Sequence, residues 1–248
     1  MTVAAIQVDG KLEFYFMSRF LRYGLFVLGL SVIISSLAAT DARAQGPLTE
    51  ILRRMDLNNQ HLKTLRSDVK MEKHNPQLNV TDTTVGSTSY ISKTVNGTMY
   101  VRINWTKPVE EQISVIGDNY ELYRPRLNQV IVGKTSQAKN SASAGGALSF
   151  MTMSRDQLKA NYEIAYLGQE PVNGANDTWH LQLTPKGKTS YKSAELWVDG
   201  DGMPRQAKII ETNGDTTTVT LTGIEKNPTL NAKIFKLTYP GNVKKIKA

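Results

Sequence analysis

Four segments between Trp179 and Tyr239 alternate apolar and polar residues, and turn signals separate them. They read WHLQL, AELWVDGDGMPRQAKII, TTTVTLTGIEKN and AKIFKLTYP. Alternation with period two puts the apolar side chains of a strand on one face and the polar ones on the other. Such a ladder folds as an antiparallel sheet whose apolar face must be covered by a core or by a ligand. Upstream, the same signal recurs. Thr84–Thr94 and Thr98–Trp105 are predicted strands joined through Asn96-Gly97, a strong hairpin signal. Glu111–Ile116 and Tyr120–Arg124 form a second hairpin, Asn128–Lys134 is a short strand, and Ser67–Lys73 is a further candidate.

Helical signals are few. Leu48, Ile51, Leu52, Met55, Leu62 and Leu65 recur at steps of three and four, predicting an amphipathic helix over Pro47–Leu65 with Pro47 in its first turn. Ser136–Gly146 is small and polar, hence a loop, and Ala147–Met153 is apolar. Ser154-Arg-Asp-Gln157 is a capping-box sequence opening a short helix. The expected class is α+β: an incomplete, unclosed antiparallel β-barrel with an N-terminal helix and a helical lid over a hydrophobic cavity.

The first 44 residues stand apart as an N-terminal extension and cleaved signal peptide. Arg19 and Arg22 precede an apolar run over Leu25–Leu37, and Ala42-Arg43-Ala44 precedes Gln45. Met17 is an alternative start. Residues 45–248 then form one domain, and export through a cleavable signal places it in the periplasm. The chain contains no cysteine, so its core alone must hold it. Its formal net charge of +8 suits contact with anionic headgroups or an acidic partner. The lysines are scattered, which argues against nucleic acid.

Catalytic patterns are lacking. His61, His74 and His180 have no metal-ligand spacing, and no nucleophile elbow, phosphate loop or dinucleotide fingerprint occurs. Asp199-Gly-Asp-Gly202 resembles the start of a calcium loop but lacks the remaining ligands, so a strand-turn-strand corner is expected. No enzyme activity, metal or cofactor is expected. The apolar stripes are the candidate site: Val101, Ile103, Trp105, Ile113, Leu122, Leu181, Leu183, Leu196, Val198, Val219 and Leu221 would wall a lipid-binding cavity. Leu148, Phe150, Met151 and Met153 would form an adaptable apolar lid that competes with lipid for it.

Several stretches together carry a resemblance. They are Asn104-Trp-Thr-Lys-Pro108, Ile113–Gly117, Tyr120-Glu-Leu-Tyr-Arg-Pro125, Leu181-Gln-Leu-Thr-Pro185, Leu196-Trp-Val-Asp-Gly-Asp-Gly-Met-Pro204, Gly223–Asn227 and Phe235–Pro240. In this order the chain resembles the outer-membrane lipoprotein carrier (LolA) family over most of residues 47–246. The resemblance implies a carrier that ferries triacylated lipoproteins from an inner-membrane ABC transporter to an outer-membrane acceptor, as a monomer and without cofactor. The alternatives are a carrier of another lipid and a lipid- or lipoprotein-sensing envelope regulator on the same fold. Family members close to the best-known carriers have an Arg-Pro pair where this chain has Lys93-Thr94. The family arginine latches the lid, so Lys93 is the candidate latch here, without arginine's planar fork of donors.

Overall fold

The structure is a computed structural model, and residues 41–135, 153–173 and 175–248 are described. Leu48–Ala248 form one compact unit and Met1–Pro47 another, of which the described part opens the first helix. That helix, α1, runs Asp41–His61. Six strands follow: β1 (Thr64–Asn75), β2 (Val80–Ile91), β3 (Tyr100–Lys107), β4 (Glu111–Ile116), β5 (Asn119–Arg124) and β6 (Gln129–Lys134). A one-turn helix α2 (Lys93–Asn96) links β2 to β3. After α3 (Arg155–Asn161) come β7 (Tyr162–Val172), β8 (Ala175–Pro185), β9 (Tyr191–Asp199), β10 (Pro204–Glu211) and β11 (Thr216–Lys226). A 3-10 turn (Ala232–Phe235) and β12 (Lys244–Lys247) end the chain.

The twelve strands among the described residues form one sheet in the order β12-β6-β5-β4-β3-β2-β1-β11-β10-β9-β8-β7. Neighbours are antiparallel except β12, which lies parallel to β6. The outermost strands, β12 and β7, are not paired with each other, so the barrel is unclosed. Register shifts at Arg66/Asp68, Val85/Gly86 and Tyr166/Gly168 mark bulges, which bend a sheet and increase its twist.

Cross-strand partners assign the faces. Val69 and Met71 of β1 align with Leu221 and Val219 of β11 on one side, and Leu65 aligns with Tyr90 of β2 on the other. Their side chains define the inner face. Onto it packs α1, whose Ile51, Leu52 and Met55 are buried in the same core. Three- and four-residue spacing places these side chains on one stripe of the helix. A second, smaller core lies on the opposite face. There the C-terminal segment lays Leu237, Tyr239 and Val243 over Tyr123, Val130 and Val132. Phe235, fully buried, packs its ring 5.5 Å from Tyr100, and the Ser114 hydroxyl donates to the Phe235 carbonyl. Strands β3–β6 therefore carry a cover on their outer face, where alternation alone predicts a wet one.

Three local expectations are corrected. The helix ends at His61, so Leu62 and Leu65 are not helical: the Lys63 and Thr64 amides turn to the Asn227 side chain, which draws the chain into β1. Pro47 lies inside the helix rather than in its first turn. Asn96-Gly97 does not close a two-residue hairpin. Ser92 caps α2 by accepting from the Thr94 amide, and Gly97 ends it with φ of 79°. The capping box at Ser154–Gln157 forms as expected, with both reciprocal bonds present.

Candidate functional site

The inner face is a continuous apolar surface running from β4 to β7. Ile103 and Trp105 from β3, Leu181 and Leu183 from β8, Leu196 and Val198 from β9, and Val219 and Leu221 from β11 are all buried in one cluster with α1. Val101 and Ile113 pack against that cluster, partly buried. Leu122 pairs with Ile113 and Ile131, which sets it on the same face, but it is half-buried and outside the cluster. The sheet thus brings ten of the eleven expected wall residues together and leaves Leu122 as an outlier towards its β12 edge. Met153 packs against the same cluster. Leu148, Phe150 and Met151 lie outside the described residues, as does the signal-peptide run. No described helix is long and apolar enough to cross a membrane.

Lys93 opens α2 and is exposed, and the preceding Ser92 amide donates to the Lys63 carbonyl. It therefore sits where β2 leaves the sheet, beside the start of β1, and not on the inner face.

Sequence reading missed what seats α1. The turn between β9 and β10 closes on the helix backbone. A Cβ on Gly202 would lie 2.3 Å from the Arg54 carbonyl carbon and oxygen and 2.6 Å from the Met55 nitrogen. Gly202 also has φ of 83°, which glycine alone adopts without strain. Asp199 shapes the turn: one carboxylate oxygen accepts from the amides of Asp201 and Met203, and the other pairs with Arg205 at 2.6 Å. The motif that looked like a calcium loop is the socket for α1. Among the described residues no three His, Cys, Asp or Glu side chains converge on one point.

Few polar contacts fix α1 in place. Arg54 reaches the Gly200 carbonyl at 2.8 Å and lies over the Trp179 ring, 5.3 Å from its centroid. Asn58 donates to the Met203 sulfur, and Asn59 to the Met153 carbonyl. Glu50 bonds Arg53 and Arg54 on the exposed side of the helix, each at 2.7 Å. The hydrogen bonds from Arg53 and then Arg54 hold the Glu50 carboxyl down to about 2. Because that value lies below the ordinary 4.5, the stability this pairing adds is complete above pH 4.5 and is lost as pH falls towards 2. A carbon-13 titration of the Glu50 carboxyl should give a midpoint near 2. A midpoint near 4.5 would mean that Glu50 does not bind the two arginines in solution.

At the far end of the inner face, the Tyr162 and Tyr191 hydroxyls share a hydrogen bond of 2.6 Å. Burial, then this bond, pushes the Tyr191 hydroxyl above its usual range, so that phenol stays neutral. On the outer face, His180 stacks on Trp197 at 4.2 Å and faces Glu170 and Glu195 through its two nitrogens. A cavity of about 560 Å³ also opens away from the core, lined by Asp68, Lys70, Ser87, Thr106 and Thr222 among others. The charged Asp68 and Lys70 in its wall set it apart from the inner face, because an acyl chain would have to desolvate them.

The family model for "Outer membrane lipoprotein carrier protein LolA" matches residues 60–238, well over half of the chain. The chain belongs to the LolA family. Relatives named outer-membrane lipoprotein carrier protein include that of Dechloromonas aromatica, 27% identical over 142 residues, and that of Cupriavidus taiwanensis, 28% identical over 137 residues. These matches cover 56% and 55% of this chain, and 63% and 60% of the relatives. The chain therefore spans somewhat less than two thirds of the length of these two relatives. Among solved structures, an uncharacterized conserved protein from Thermus thermophilus aligns over 82% of this chain and 99% of its own, at a TM-score of 0.52 and 12% identity. MucB aligns over 77% of this chain and 62% of its own, also at 0.52, with 13% identity. At such identities these two share the fold alone.

Proposed function

We propose that this LolA-family protein is a periplasmic carrier that holds the acyl chains of lipoproteins against its inner face. In this reading it takes triacylated lipoproteins from an inner-membrane ABC transporter and ferries them to the outer membrane. The observation that carries the reading is how the inner face is covered. Among the described residues, a broad, curved apolar sheet is covered chiefly by α1, held through side-chain contacts and one turn, with Leu158 of α3 and Met153 beside it. An acyl chain can take the place of the α1 side chains, exchanging one apolar contact for another at little net cost. Each methylene so buried is worth about 0.8 kcal/mol, so several chains bind firmly without any catalytic group. Release then follows when the helix returns, because helix and lipid compete for the same surface.

Val101, Ile103, Trp105, Ile113, Leu181, Leu183, Leu196, Val198, Val219 and Leu221 would contact the chains, with Met153 at their margin. Leu122 would extend the surface towards β6. Native mass spectrometry of the protein purified from its own periplasm without detergent tests this. The expected result is a bound triacylated lipoprotein. A bound free lipid would replace this reading with a carrier of another lipid. An empty protein that takes up no lipoprotein would replace it with a sensing or interaction module.

A further inference from the structure

Hairpin β1–β2 extends beyond β3, while β1 stays paired with β11 as far as His74. Strand β2 pairs with β3 only from Val85, which faces Lys107, so Val80–Thr84 have β1 on one side and no strand on the other. At the tip, Leu78 is 72% exposed and Val80 49% exposed, and Leu78 is the most exposed large apolar side chain among the described residues. The tip is an ordered turn, not a frayed end. The Leu78 amide donates to the Asn75 side chain at 2.8 Å, and Asn79 takes a positive φ of 50°. Nothing in the core requires an apolar residue there.

The same end of the sheet carries more of this chemistry. Strand pairing places the β1–β2, β3–β4, β5–β6, β8–β9 and β10–β11 connections together at one end. The β5–β6 connection presents Arg126 beside Leu127, which is 63% exposed. The β8–β9 connection presents Lys186 and Lys188, with Lys192 just beyond, all exposed. Lys107 and Lys244 are exposed at strand ends on the same side. Glu110 and Asp215 are the acidic residues within these connections, and Asp82 lies on the projecting part of β2. Exposed leucines flanked by a majority of lysine and arginine match a bilayer surface, where apolar side chains enter the acyl boundary and cations meet anionic headgroups.

We infer that this end of the protein docks transiently on an anionic membrane surface, with Leu78 and Val80 as the inserting tip. This site is separate from the inner face and does not depend on which lipid the inner face carries. The absence of cysteine allows a direct test. Leu78→Cys is labelled with an environment-sensitive fluorophore, and so is Val95→Cys, which is 50% exposed at the opposite end, as a control. Both are mixed, unloaded, with phosphatidylcholine vesicles with and without about 30% phosphatidylglycerol. The Leu78 probe should shift to the blue and brighten several-fold on the anionic vesicles, and the Val95 probe should not.

Lys186→Glu with Lys188→Glu should weaken flotation with those vesicles about tenfold or more, since each basic residue near such a surface contributes about 1 kcal/mol. A silent Leu78 probe on both vesicles, or an equal response at Val95, overturns the proposal and leaves the end as a surface for an acidic protein. Lipoprotein uptake from detergent should be unchanged in all these variants. Lost uptake would overturn the separation of this end from the inner face, whereas failed vesicle binding with normal uptake overturns the docking and leaves the carrier reading intact.

Discussion

Gly202→Val should destabilise the protein by about 3 kcal/mol or more, lowering its melting temperature by roughly 10 °C. Two costs combine. A branched side chain at φ of 83° is strained, and its Cβ would meet backbone atoms of Arg54 and Met55 at 2.3–2.6 Å. Backbone cannot rotate aside as a side-chain end can, so either the β9–β10 turn or α1 must move. Movement of α1 exposes Trp179, which Arg54 covers, so tryptophan emission should redden before global unfolding. Gly200 supplies the control, because a Cβ there meets nothing within 4 Å and Gly200→Ala should change stability by less than about 1 kcal/mol. Equal stability of the two variants would mean that the turn does not hold the helix.

The second large effect is a charge on the inner face, placed at two depths. Leu196 is fully buried in the centre of the core, between Leu181 and Ala207 across its neighbouring strands. Leu196→Glu buries a carboxylate with no partner, which should cost about 5 kcal/mol or more and leave the protein largely unfolded. Leu122 shares the face but is half-buried and outside the main cluster. Leu122→Glu should cost no more than about 2 kcal/mol by urea denaturation while cutting lipoprotein uptake at least tenfold. Full uptake by a folded Leu122→Glu protein would confine the acyl site to the β1–β3 and β7–β11 side of the sheet.

The contrast between these two leucines shows what the sequence could convey. Period-two alternation groups Val101 with Ile103 and Trp105, and Leu181 with Leu183, because a strand permits only two faces. It could not grade depth, since alternation marks Leu122 and Leu196 alike while Leu196 lies in the core cluster and Leu122 outside it. Nor could it reveal the second core, where Tyr123, Val130 and Leu237 meet across more than a hundred residues of chain. The helix stripe at Ile51, Leu52 and Met55 was legible, but its end was not. Leu62 and Leu65 continue the helical spacing, and the chain leaves the helix only because the distant Asn227 captures two amides. Asn96-Gly97 carried a true local preference for positive φ, realised at the end of a helical turn rather than in a hairpin. Gly202 was visible as part of a turn motif, yet its role depends on a helix far upstream in sequence.

The strand order also bears on when the molecule can fold. On either side of β1 the sheet grows by short local links, β2 through β6 on one flank and β7 through β11 on the other. The seam between the flanks is β1 against β11, joining Thr64–Asn75 to Thr216–Lys226. Each flank can form early from contacts near in sequence, but the seam must wait for the last part of the chain and carries the largest loop-closure entropy. A chain entering a compartment amino-terminus first therefore stays open until its final strands arrive. Until then its apolar inner face has no complete sheet or core to cover it.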